Sequence, residues 1–138
     1  MRKRVTPSGV NREKGPRRTV TFPRISEEMK QWSALLEGEL NTWPHISTKK
    51  MFGFLSFYRK GAIFAALPRT RGLDSPSSLI LKFSAMAPRL LKRAEADDRM
   101  STRTRAPGEG WFSFELRSES DLRDALRWLN RAYEASAR

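Results

Sequence analysis

Cysteine is absent from this 138-residue chain, histidine occurs once and tyrosine twice. Without cysteine there is no disulfide framework, no thiolate metal site and no cysteine nucleophile, a composition that fits a reducing compartment. The single histidine, His45, follows Pro44, and no carboxylate pair stands near it at a metal-ligand spacing. Neither a zinc centre nor a histidine-assisted nucleophile is therefore expected. A P-loop and a Gly-x-Gly-x-x-Gly run are also missing, which removes the two commonest phosphate cradles. No apolar run approaches the roughly 18 residues that a membrane-spanning helix requires. The basic N-terminus lacks the apolar segment of a secretory signal. These absences lead to the expectation of a cytoplasmic binding protein that has no cofactor, no metal, no membrane contact and no enzymatic activity.

Acidic residues are scarce as well. Asp and Glu number 15 against 27 Lys and Arg, for a formal charge of +12. The excess is uneven: residues 1–24 carry Arg2, Lys3, Arg4, Arg12, Lys14, Arg17, Arg18 and Arg24 against Glu13 alone, which places +7 of the +12 there. Pro7, Gly9, Gly15, Pro16 and Pro23 interrupt the same stretch, and large apolar residues are few. Such a segment cannot bury enough surface to offset its ordering entropy, so a disordered basic tail over residues 1–24 is expected. Basic tails find nucleic-acid backbones by releasing counterions, although a solubilising tail has the same composition. The remainder, residues 25–138, has the length of one domain. The chain's hydrophobic content of 38% supports a modest core.

Ser26 is a good helix N-cap, with Glu27 and Glu28 at the positive end of the helix dipole. Met29, Trp32, Leu35, Leu36 and Leu40 follow at helical spacing as one apolar stripe, which Asn41 and Pro44 end. Trp43 and Ile46 are expected to fold back onto the core. A strand is expected over 49–52, with Gly53 as a bend or bulge, then a hairpin of 54–59 and 62–67 turning at Lys60-Gly61. After a polar loop over 68–77, Leu79, Leu81 and Phe83 alternate with Lys82 as a further strand. A short helix capped by Ser84 is expected to run to about Ala96, with Pro88 near its first turn. Strands over 100–105 and 111–116 come next. A last helix then starts from a capping box at Ser118 and Asp121 and turns Leu122, Ala125, Leu126, Leu129 and Tyr133 inward. Trp128 and Arg131 lie off that stripe, where a tryptophan marks either a partner interface or packing at the sheet edge. The order is α-β-β-β-β-α-β-β-α, which predicts an α+β two-layer sandwich: an antiparallel sheet with helices on one face.

Two sets of residues suggest nucleic-acid contact. Lys50-Met51-Phe52-Gly53-Phe54-Leu55-Ser56-Phe57 follows the RNP1 pattern of RNA-recognition motifs, with Met51 where glycine belongs. An RNP1 strand should lead to a helix, however, and a glycine turn and another apolar strand follow instead. This reading therefore assigns Met51, Phe52 and Phe54 to core building. The second set is on the sheet face opposite the core, where alternation points Arg103 and Arg105 together and Trp111 and Ser113 together, with Lys82 beside them. Cations interleaved with a ring suit phosphates and bases, while a plain solvated face has the same pattern. Asp97-Asp98 reads as a helix end, and paired catalytic carboxylates there would need a pocket.

Lys50-Met51-Phe52-Gly53, then Lys60-Gly61-Ala62-Ile63-Phe64-Ala65, then Leu79-Ile80-Leu81-Lys82 resembles the N-terminal domain of the TfoX/Sxy competence regulators and the wider YjbR-like group. Trp128 and Ala132 fit the Trp- and Ala-bearing final helix of that pattern, and the likeness runs over about residues 26–134. Phe54 stands where a second glycine is usual, and Lys60-Gly61 replaces Asp-Gly. The resemblance implies a small regulatory or nucleic-acid-associated domain and supplies no catalytic residues. The expected partner is DNA or RNA, reached through the basic tail. A protein-interaction module with an incidental tail is the alternative.

Overall fold

The computed structural model describes residues 23–72, 75–102 and 110–136. Helix α1 (Glu27–Leu40) leads into strands β1 (Ile46–Met51), β2 (Phe54–Arg59), β3 (Ala62–Pro68) and β4 (Ser78–Lys82). Helix α2 (Pro88–Ala96), β5 (Met100–Thr102), β6 (Trp111–Glu115) and α3 (Leu122–Ala135) follow, with a 3₁₀ turn over 119–121 before α3. The six strands form one sheet in the order β1-β2-β3-β4-β6-β5, and every pairing is antiparallel. The expected α+β architecture and element order are therefore present. The chain leaves β4, crosses through α2 to the far edge, and returns through β5 so that β6 inserts beside β4.

Local chemistry accounts for most element ends. The Ser26 hydroxyl accepts the Met29 N–H at 3.0 Å, satisfying one of the donors a helix start leaves unpaired. On α1 the buried stripe is Met29, Trp32, Ser33, Leu36 and Leu40. Leu35, expected inside, is 63% exposed, because one residue's rotation from Leu36 carries it off the face. Ser33 replaces it, donating its hydroxyl to the Pro68 carbonyl at 2.6 Å and tying α1 to the end of β3. Helix α2 starts at Pro88 with Ala87 at its N-cap and no side-chain cap. Ser84 therefore does not cap it; proline needs no N–H partner and starts the helix itself. Strand β1 begins three residues earlier than expected, at Ile46. At the start of the last helix, Asp121 accepts the backbone N–H groups of Arg117 and Ser118 at 2.8 and 3.2 Å.

The core lies between α1, α3 and one sheet face. Met29, Leu36, Leu40, Phe57, Phe64, Leu79, Leu81, Phe114 and Leu129 are all essentially inaccessible. Trp43 does fold back: its ring lies 5.0 Å from Tyr133 and 6.3 Å from Phe64. The Tyr133 hydroxyl donates to the Pro44 carbonyl at 2.7 Å, so the loop after α1 is clamped to the end of α3. Trp128, placed off the core stripe by its spacing, is buried at 3% exposure and meets Phe83 edge-on at 6.2 Å. It packs inside because Phe83, Asp97 and the Arg131 guanidinium lie against its ring, which periodicity within one helix does not show.

Candidate nucleic-acid interface at the first hairpin and the outer sheet face

Two consecutive hairpins carry the candidate site, and both close with two-residue turns. Phe52 and Gly53 have φ of 50° and 87°, and Lys60 and Gly61 have 50° and 85°. Positive φ at both central positions is the mark of a type I′ turn, whose twist matches that of its strands. The expected bulge at Gly53 is thus a tight turn, with Met51 paired to Phe54 across it. The first turn is also anchored, since the Gly53 carbonyl accepts Arg69 and Thr70 N–H groups at 2.8 and 3.1 Å.

This turn divides the RNP1-like run between two strands, so its aromatics do not share a face as base-stacking rings would. Leu55 and Phe57 enter the core, at 4% and 0% exposure. The expectation of core building fails for the other half of the run. Met51 is 40% exposed and Phe52, at the tip, is 81% exposed. Lys49 and Lys50 are exposed immediately before them. Spacing could not reveal this, because the alternation that identifies a strand face ends at a turn.

Beyond the tip, cross-strand pairing builds the face opposite the helices row by row. Lys49, Ser56, Ala66, Ile80, Ser113 and Ser101 stand in one line across all six strands. Met51 and Phe54 begin the next line, and Lys82 pairs with Trp111 on the other side. From β1 to β6 the line spans about 19 Å at the usual interstrand spacing. Lys82 and Trp111 thus come together as expected, with the ammonium 5.3 Å above the indole ring, within cation–π range. Both are half-buried. The face is not simply solvated, however: Ser56, Ile80 and Ser113 are 1%, 5% and 4% exposed.

Arg2, Lys3, Arg4, Arg12, Lys14, Arg17 and Arg18 of the basic tail lie outside the described residues, as do Arg103 and Arg105. Arg24, counted with the tail, forms an antiparallel bridge with Arg71, and Ile25 beside it is buried. Strand β5 is described as far as Thr102.

The groups that would bear on catalysis are positioned differently. His45 is exposed in a turn at φ 62°, and its carbonyl accepts the Lys60 N–H. Asp97 and Asp98 do line a cleft of about 500 Å³ between α2 and α3, but each carboxylate is engaged. Arg99 binds Asp97 through Nε at 3.0 Å and Nη2 at 2.9 Å, and Asp98 pairs with Arg117 at 3.1 Å. The Arg99 fork holds the Asp97 carboxyl below its ordinary range against the opposing effect of burial. A carboxylate so stabilised in its charged form is a poor proton donor or acceptor near neutrality.

Comparison with protein-family models, with curated proteins and with solved structures finds no match for this chain. No helix among the described residues is long and apolar enough to cross a membrane.

Proposed function

We propose that this chain is a non-enzymatic, nucleic-acid-associated binding module of the kind its TfoX N-terminal/YjbR-like resemblance implies. The first hairpin and the outer sheet face contact the nucleic acid, and the basic tail adds sequence-independent affinity. Phe52 carries the reading. A phenylalanine in the left-handed region costs about 1–2 kcal/mol, and at 81% exposure it recovers little by burial. Asn, Asp or Gly at that turn position would serve folding better. Strain retained in an exposed ring points to a use outside the fold.

Stacking on an unpaired base is such a use, since it contributes about 1–3 kcal/mol per base. Lys49 and Lys50, exposed on the strand that leads into the tip, supply phosphate contacts. Lys82 and Trp111 repeat the combination of cation and ring on the sheet face. The engaged Asp97 and Asp98 support a binding role over a catalytic one.

The test is binding of fluorescent single-stranded DNA and RNA by the full chain over a series of salt concentrations. Binding at low salt, weakened about tenfold or more by Phe52→Asn and by joint Lys49→Gln and Lys50→Gln, is the expected result. Absence of binding at low salt would overturn the nucleic-acid reading in favour of the protein-interaction alternative. Binding unchanged by the hairpin substitutions would remove the hairpin from the interface.

A further inference from the structure

The cleft between α2 and α3 is separate from the hairpin, and its charge balance is uneven. Arg93 reaches it from α2, and Arg127 and Arg131 reach it from consecutive turns of α3. The carboxylates around it are already committed. Asp97 is held by Arg99 at 2.9 Å, Asp98 by Arg117 at 3.1 Å, and Asp124 is shared between Arg99 at 3.1 Å and Arg127 at 3.4 Å. Among the described residues neither Arg93 nor Arg131 has an ion pair. Arg131 is half-buried, with its guanidinium 4.8 Å above the Trp128 ring. Trp128 is held in turn by its indole N–H, which donates to Asp97 at 3.4 Å. Burial first, and then repulsion from Arg93 and Arg127, make the charged form of Arg131 harder to keep. Three guanidinium groups thus converge on a concave site, and one of them rests on a fixed aromatic platform.

We propose that this cleft is a binding site for a phosphate-type oxyanion, held by Arg93, Arg127 and Arg131. A doubly charged tetrahedral anion relieves the repulsion among the three cations. It also accepts the paired N–H donors of each guanidinium, a geometry suited to phosphate oxygens. Asp98 and Asp124, which also line the cleft with side chains 82% and 39% exposed, disfavour a large polyanion lying across it and favour a compact group. The site does not depend on the hairpin's role in nucleic-acid binding.

The experiment is titration of the full chain with inorganic pyrophosphate, and separately with inorganic phosphate, at low ionic strength, following the Trp128 indole N–H resonance. The expected result is a saturable shift of that resonance, with affinity lowered about tenfold or more by Arg131→Gln and by Arg93→Gln. That loss is comparable with removing one charge-assisted contact. Arg93 is exposed on α2, so Arg93→Gln keeps the test valid if Arg131→Gln fails to fold. Arg131→Lys retains the charge without the fork and is expected to bind more weakly than the parent chain. An indole resonance that does not move, or one that shifts in both glutamine variants with the parent chain's affinity, would overturn the proposal. A second titration with a single-stranded oligonucleotide identifies the source of the anion. A Trp128 shift by the oligonucleotide that added pyrophosphate replaces with its own assigns the cleft to backbone phosphate, whereas oligonucleotide binding without any Trp128 shift assigns it to a free phosphorylated ligand.

Discussion

Phe52 and Lys60 occupy the same position in two consecutive type I′ turns, each at φ 50°. Asparagine tolerates the left-handed region better than either, so Phe52→Asn and Lys60→Asn should each raise stability by up to about 1 kcal/mol, read as a higher melting temperature. Only Phe52→Asn should weaken oligonucleotide binding. Equal loss of binding in both variants would refer the effect to turn shape and away from the ring.

Arg99 poses the opposite case, a charged residue that the fold itself requires. Its guanidinium bonds Asp97, Asp121 and Asp124 at 2.9, 2.8 and 3.1 Å and lies 5.0 Å above the Phe114 ring. Asp97 titrates below its ordinary 3.8, chiefly because of the Arg99 side chain. Burial would raise Asp121, but the Arg117 N–H and the Arg99 guanidinium overcome it and bring it below 3.8 as well. Lowered folded values mean that the stabilisation is complete above the unfolded 3.8 and drains away as pH falls through the folded values. Arg99→Met should therefore cost about 3 kcal/mol at neutral pH, since it removes the shared cation from Asp97 and Asp121, whose side chains are 15% and 14% exposed. Denaturant melts across pH should show the gap between parent and variant closing under acid conditions. A gap constant with pH would mean that Arg99 acts through packing alone.

At the scale of elements, the two hairpins look alike in sequence and differ in their surroundings. A Cβ on Gly61 meets nothing within 4 Å, whereas one on Gly53 would sit 2.8 Å from Thr70 Oγ1 and 2.9 Å from Arg71 Cγ. Gly61→Ala should then cost only the left-handed backbone penalty of about 1 kcal/mol. Gly53→Ala should cost about 1 kcal/mol more through crowding against the segment that anchors the tip. Similar losses in thermal melts of the two variants would show that the anchor yields. In α1 the hydroxyl of Ser26 caps the helix, and Ser26→Ala should lower stability by about 1 kcal/mol.

Across the whole molecule, one sheet has two unlike faces: the core side is apolar, and the other carries the Lys82–Trp111 pair beside a line of mostly small residues. The hairpin tip, the Lys82–Trp111 pair and the α2–α3 cleft are distinct basic features. If the tail acts by counterion release, replacing its seven basic residues from Arg2 to Arg18 by Gln should flatten the log-log salt dependence of single-strand binding. The slope should fall by about 0.7 for each phosphate the tail neutralises. A slope unchanged by those substitutions would make the tail incidental.

Period, caps and turn residues made most of the architecture legible, because those signals are local. Ser26 capped the helix it precedes, Lys60-Gly61 closed the hairpin it sits in, and alternation put Lys82 beside Trp111 on one face. Sequence alone thus determined the class, the element order and the division of the sheet into two faces. Tertiary structure decided what lies over each surface. Leu35 faces outward and Trp128 inward because burial depends on which element packs alongside, and a single helix's periodicity contains no such information. The glycine turn and apolar strand that follow Phe52 point it to the core, yet it lies at the tip, because a turn interrupts the alternation that would place it. Arg93 and Arg131 are 38 positions apart and line one cleft only because the crossover through α2 brings that helix alongside α3. Charges that converge from distant segments have no local signature, and both the strained ring and the arginine cleft became visible only in three dimensions.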